Sequence, residues 1–351
     1  MNIESTSLWI GLALLCSCQS RQQVTAPIST IDSTLQTNAT AILESKLSEI
    51  NAQSGQAIVM EVQTGQIKVL VGLTRKDSTN YQSCENFSVW QSTGLMHPIS
   101  LLAALETGKV KLSDKVDTGN GIYQVHGREL KDHNWHRGGY GELTIQEGLA
   151  ASSNIAIYKT MEKAFGDNPQ TFFDLLANMN YGKPDSINGI ASLQPYKITE
   201  KNIIWNCIGY EQLISPIQVL TFYNAIANNG KMIQPQLYKD SVVVINPQIA
   251  SRTSIDSLKK ALVFNITDGL GQPAKSDKVL VAGMQGTSSL STNEDSTKDM
   301  YAVEFCGYFP TDNPKYSIIV SINKAGLPAS GGLMAGDVFK KIVDYIKDWE
   351  V

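Results

Sequence analysis

Residues 90–98 read Trp-Gln-Ser-Thr-Gly-Leu-Met-His-Pro. Gly94 and His97 stand three apart, where a helix would open ahead of Pro98. That spacing puts two side chains on one helical face. A hydroxyl nucleophile and the base that activates it need this proximity. Glycine has no side chain, so no covalent intermediate can form at position 94. Histidine is largely neutral at pH 7 unless a partner raises its pKa. Two further runs carry hydrogen-bonding groups, Ser152-Ser153-Asn154 and Met284-Gln285-Gly286-Thr287.

Other pairings are weaker. Thr93 and His97 could share a face as a Thr-His pair, but Thr93 falls on the turn before the helix and points away. Ser92 has the same difficulty. A Ser-x-x-Lys spacing recurs at Ser257-Leu258-Lys259-Lys260 and at Ser321-Ile322-Asn323-Lys324. The former reads as a solvated helix face. The latter lies on a strand, where positions three apart face opposite sides. His126, His133 and His136 cluster beside Asp132, yet a zinc site needs three or four converging ligands. The sequence implies no metal and no cofactor.

Composition bounds the class. In 351 residues, 42% are hydrophobic and 18% charged, the balance of a globular chain. A net charge of −4 leaves no basic surplus for nucleic acid. The apolar run at residues 8–15 is too short to span a bilayer. It ends in Leu15-Cys16-Ser17-Cys18, which resembles a bacterial lipobox, so residues 1–18 read as a lipoprotein signal with acylation at Cys18. The segment before the run lacks Lys and Arg and contains Glu4, which keeps an ordinary cleaved secretion signal open. Export would leave Cys84, Cys207 and Cys306, an odd number, expected as buried thiols.

Residues 19–41, rich in Ser, Thr and Gln, read as a flexible tether, with the folded body at 42–351. A first helix is expected at 42–50. Two β-rich runs, 57–60 and 67–71, flank Gln63-Thr64-Gly65-Gln66 and predict a hairpin. Helical patterns cover 98–106, 144–164, 169–179 and 216–228, the last stopped by Asn229-Gly230. Residues 111–140 read as surface loop. Strands return at 279–283, 301–310 and 316–322, and a helix closes the chain at 336–349. This order predicts a mixed α/β (α+β) fold: a central antiparallel sheet from both chain ends, flanked by helices, with an all-helical subdomain between.

The order and context of the three runs resemble the penicillin-binding transpeptidase domain, class B division type, whose signatures are S-x-x-K, S-x-N and K-T-G. The flanks add specificity. Asp117-Thr118-Gly119-Asn120-Gly121, Lys131-Asp132-His133-Asn134 and Gly138-Gly139-Tyr140-Gly141 are similar to the loop ahead of S-x-N. Gly209-Tyr210, Ser215-Pro216-Ile217-Gln218 and Ala227-Asn228-Asn229-Gly230 match a further segment, and Gly307-Tyr308-Phe309-Pro310 with Asn313-Pro314-Lys315 the penultimate hairpin. The resemblance implies the serine β-lactamase/transpeptidase-like fold. It makes Gly94 the position of the acylating serine, His97 that of its lysine and Met284 that of the K-T-G lysine. Ser152, Asn154, Gln285, Gly286 and Thr287 are the implied substrate-binding positions.

With nucleophile and both cations replaced, the resemblance implies a catalytically inactive cell-wall lipoprotein. It would bind peptidoglycan stem peptide, or a cell-wall synthesis or division protein, at the periplasmic face of the envelope. The lipid anchor would stand in for the family's pedestal domain and transmembrane helix. Two alternatives remain: an active D,D-transpeptidase or carboxypeptidase with an unconventional nucleophile, and a structural module whose cleft is filled by Leu95, Met96 and Met284.

Overall fold

The computed structural model describes residues 27–78, 80–84, 90–91, 94–190, 193–290 and 299–350. Residues 1–26, with Cys16, Cys18 and the apolar run, lie outside the described residues. The helices in chain order are α1 Ser33–Glu49, α2 Met96–Glu106, α3 Ile145–Ala150, α4 Asn154–Phe165, α5 Gln170–Asn178, α6 Ile203–Asn206, α7 Pro216–Ala227, α8 Arg252–Asp268 and α9 Asp337–Trp349. No helix among the described residues is long and apolar enough to cross a membrane.

A six-stranded antiparallel sheet runs in the spatial order Ala282–Ser289, Met300–Phe309, Tyr316–Ala325, Ser54–Glu61, Ile67–Arg75, Tyr81–Ser83. Pairing of Ser54–Glu61 with Tyr316–Ala325, with Ile58 opposite Ile319, joins the two chain ends. The expected hairpin forms, turning at Gly65 with φ 74°. A Cβ there would sit 2.4 Å from the Gln234 carbonyl oxygen, so the turn admits only glycine.

Alternation gives the sheet two faces. One packs Val59, Val320 and Ile318 against Leu43 and Leu47 of α1 and Phe339 and Val343 of α9. The other faces α7, whose every residue is buried, as expected of a helix enclosed on all sides. Its polar groups are met internally: Asn224 Nδ2 donates to the Val62 carbonyl and Ser317 Oγ donates to Asn224 Oδ1. Beyond α7 lie α2, α4 and α5, the helical layer expected from the sequence.

Four expectations are corrected. The stretch 30–41, expected as tether, is ordered instead: Thr30 is pinned to the Ile67 and Gln236 carbonyls, and Asp32 caps α1 at Ser33. Leu35, Ala39, Leu43 and Leu47 lay a buried stripe at four-residue spacing, hidden in composition by the polar residues between them. The expected helix 144–164 is two, α3 and α4, broken at Ser152, which adopts φ 50°. The late strand starts at Ala282 rather than 279 and runs on through Gly286, because pairing with Met300–Phe309 overrides weak local propensity. Residues 111–140 are not all loop, for they contain the hairpin Ile122–Val125 and Arg128–Lys131.

Candidate active site

Two helix N-termini and one sheet edge converge on an open cleft of about 750 Å³. Gly94, His97, Ser152, Asn154, Gln285, Gly286 and Thr287 all line it. Met284 does not: it is fully buried in the same apolar cluster as Leu95 and Met96. Ser92 and Thr93 lie outside the described residues.

The start of α2 is held from within the core. Tyr223 of α7 donates its hydroxyl to the Leu95 carbonyl at 2.9 Å. Leu95 occupies the N-cap and gives no side-chain cap. A Cβ on Gly94 would meet Ser152 Oγ at 3.3 Å and the Gln285 carbonyl oxygen at 3.4 Å. A side chain at 94 would therefore emerge into the cleft against the serine of the second run.

His97 is buried, with Nε2 3.1 Å from Asn154 Oδ1. Asn154 Nδ2 donates to the Lys131 carbonyl at 2.9 Å, which fixes its Oδ1 as acceptor and His97 Nε2 as donor. Burial lowers the His97 pKa to about 4, against a smaller upward pull from Asn154. The ring is neutral at pH 7, and its buried Nδ1 has no partner among the described residues.

The second helix start is closely supported. Ser152 takes the left-handed position after α3, and Ser153 then caps α4 by accepting from the Ala156 N–H at 2.9 Å. Asp132, arriving from the loop, accepts from Ser153 Oγ at 2.7 Å and from the Ile155 N–H at 3.0 Å. Burial pushes the Asp132 carboxyl up, while these hydrogen bonds pull it down.

The sheet edge is set by α8. Asn265 Nδ2 donates to the Gly283 carbonyl at 2.8 Å and to Gln285 Oε1 at 2.9 Å. Its Oδ1 accepts from the Gly271 N–H at 3.3 Å, tying in the 269–273 turn that walls the cleft. Opposite, the Gly331 N–H donates to Thr287 Oγ1 at 2.9 Å, leaving the threonine hydroxyl hydrogen free to donate. A Cβ on Gly331 would lie 2.2 Å from the Gly286 carbonyl oxygen, so glycine permits this approach.

Asn265 and Arg137 escaped the sequence reading, and Asp132 entered it only as part of the loop ahead of S-x-N and beside the histidines. Asn265 had a signal, a polar residue on the stripe of Leu258, Leu262 and Ile266. Asp132 sits in a polar loop whose burial only the fold creates. His133 Nε2 bonds the Tyr140 hydroxyl at 3.0 Å, and among the described residues no His, Cys, Asp and Glu cluster could hold a metal. Ser257 bonds its own helix at Thr253, and Lys324 is buried on three backbone carbonyls, so neither Ser-x-x-Lys recurrence joins the cleft. Cys207 and Cys306 are buried and Cys84 only partly so, correcting the expectation of three buried thiols; all three are free.

The penicillin binding protein transpeptidase domain matches residues 55–344 of this chain. The chain belongs to that transpeptidase family. It is 23% identical over 332 residues to the probable peptidoglycan D,D-transpeptidase PenA of Neisseria flavescens, covering 90% of this chain and 80% of that protein. The peptidoglycan D,D-transpeptidase FtsI of Escherichia coli is 22% identical, covering 89% of this chain and 54% of its own length. The chain thus spans little more than half of some relatives. The transpeptidase fold also matches the domain of Burkholderia pseudomallei penicillin-binding protein 3, with a TM-score of 0.79 at 24% identity over 93% of this chain and 97% of that one.

Proposed function

We propose that this chain is a non-acylating member of the transpeptidase family that binds peptidoglycan stem peptide in the retained cleft at the bacterial cell envelope. One observation carries the reading. Position 94 points into an open cleft beside Ser152 but bears no side chain. A serine hydrolase without its nucleophile loses on the order of 10⁶ in turnover. His97 cannot serve as the missing cation, being neutral and committed to Asn154. The Met284 position supplies none either, since its side chain belongs to the core.

What remains suits binding. Asn154 is oriented on both sides, Thr287 keeps a free donor, and Ala282–Ser289, as the edge strand of the sheet, could pair with an extended peptide. The open volume counts against a filled cleft. Lipid anchorage through Cys18 and a cell-wall synthase as partner belong to the same proposal, supported by the lipobox-like run and by relatives named as peptidoglycan transpeptidases.

The test is intact-mass analysis after incubation with a fluorescent penicillin, paired with NMR titration of a peptide ending in D-Ala-D-Ala. No adduct is expected, with reversible shifts around Asn154 and Thr287. A stoichiometric adduct would falsify the non-acylating assignment. Absence of any shift removes the stem peptide as ligand.

A further inference from the structure

Val242, Val243 and Val244 are exposed one after another, Val243 to 54%. Alternate side chains of an extended segment turn to opposite faces, so packing of either face would hide at least one of the three. A run of exposed apolar residues favours association with whatever covers it. Ile28, 64% exposed, lies at the same end of the molecule. Its carbonyl accepts from the Lys239 N–H at 2.8 Å. Val242 follows three residues after Lys239, at most about 11 Å away. The turn between them is fixed: Gln236 Nε2 donates to the Ser241 carbonyl at 3.0 Å, and the Gln234 N–H donates to the Val243 carbonyl at 2.9 Å. The two charges in that turn, Lys239 and Asp240, cancel.

The place of this patch in the chain points to its occupant. Nine residues, 19–27, lie between Cys18 and Ile28. The ten residue steps reach at most about 36 Å, whatever path they take. An acylated Cys18 therefore keeps Ile28 within that distance of a bilayer. The entering chain is then fastened to the strand Ile67–Arg75, where Thr30 Oγ1 donates to the Ile67 carbonyl and the Asp32 N–H donates to the Lys68 carbonyl. The cleft strand Ala282–Ser289 lies four strand spacings away across the same sheet, about 19 Å. A bilayer against the Ile28 end leaves the cleft uncovered.

Resting on the anchorage through Cys18 in the proposed function, we propose that Ile28 and the valines at 242–244 form the membrane-facing surface of this chain, seated among lipid headgroups with the cleft turned away. Apolar side chains entering the interface gain by leaving water, and no charge has to be buried with them. The contact depends on apolar area, not on lipid charge, because Lys239 and Asp240 offset each other at its border. A single attachment point leaves the body free to rotate. The second contact removes that rotation and sets the direction in which the cleft opens.

The experiment is hydrogen–deuterium exchange on the acylated full chain in phosphatidylethanolamine–phosphatidylglycerol vesicles, against the full-length Cys18→Ser chain in solution. Amides of residues 239–245 are expected to exchange about tenfold more slowly on vesicles, the scale of burying one valine. The cleft segments 131–137 and 285–287 should be unchanged. The protection should persist in phosphatidylcholine vesicles and at high salt, where a contact held by charge would fade. Val243→Asp should return 239–245 to the free rate without releasing the acylated chain, and with an unchanged melting temperature because the side chain is exposed. Protection that vanishes at one chain per vesicle assigns the surface to a second copy and overturns the lipid contact. Protection of the cleft segments overturns the orientation. An acylated chain with no protection at 239–245 overturns the membrane-facing surface while leaving the anchorage intact. Absence of acyl mass at Cys18 in protein made in a bacterial envelope overturns the anchorage, and the surface with it.

Discussion

Two helices, α2 and α4, start at the same cleft, and their first turns differ sharply. The α4 start is polar and satisfied: Ser153 caps it, Asp132 bonds both that serine and the Ile155 N–H, and Asn154 is held by Lys131 and His97. The α2 start is apolar: Leu95 caps it without a side-chain bond, Met96 is buried, and His97 is kept neutral. An acylating corner needs a hydroxyl and a charged base in that second place. Here the α2 start lines the cleft with no hydroxyl at position 94 and a neutral ring at 97, while the α4 start is held by a hydrogen-bond network. The two helix starts can therefore be perturbed separately, because different elements with different supports carry them.

Restoring the α2 corner should have the largest effect. Gly94→Ser with His97→Lys is expected to take β-lactam acylation from nothing to a detectable adduct by intact mass. Position 94 accepts a Cβ after a small adjustment of Ser152 Oγ. Adding Met284→Lys tests the lost strand cation but places an ammonium at a fully buried position. A folded triple variant that still fails to acylate would mean that the cleft has reshaped beyond local decay.

Breaking the α4 corner comes next. Asp132→Ala leaves the Ser153 hydroxyl and the Ile155 N–H without their acceptor. Denaturant unfolding should show a loss of about 3 kcal/mol. A change within about 0.5 kcal/mol would show that the α4 network is not what supports that corner.

The pH dependence probes the contact between the corners. The folded pKa of His97, about 4, lies below its ordinary 6.5, so the unfolded chain takes up the proton first. The stability carried by the neutral ring is whole above pH 6.5 and drains as the pH falls toward 4. Between neutrality and about pH 4.5 the wild type should lose about 2 kcal/mol more than His97→Gln, at roughly 1.4 kcal/mol per pKa unit. Parallel pH profiles for the two proteins would contradict a buried neutral ring.

The smallest effect concerns backbone conformation. Ser152 holds φ 50°, where glycine is relaxed. Ser152→Gly should leave stability unchanged or raise it by up to about 1 kcal/mol, while weakening peptide binding. A clear loss of stability would mean that the serine hydroxyl, not the turn, holds the α3–α4 break together.

Much of this molecule could be read from residue order. The hairpin around Gly65, the buried α7 and the closing α9 all follow from period-2 or helical patterning, and the three runs at 94, 152 and 284 meet in one cleft. The misreadings fall where distant pairing overrules local composition. The polar-looking segment before residue 42 hides the stripe of α1, and Gly-Met-Gln-Gly becomes strand only beside Met300–Phe309.

Residue identity alone limits what two positions can supply: the glycine at 94 cannot be a nucleophile and the methionine at 284 cannot be a cation, whatever surrounds them. It could not settle the state of what is left. The neutrality of His97 comes from burial, the orientation of Gln285 from Asn265 twenty residues away, and the reach of Asp132 to α4 from the path of its loop. Protonation, amide orientation and the convergence of donors are properties of the packed environment, and only the tertiary structure supplies that environment.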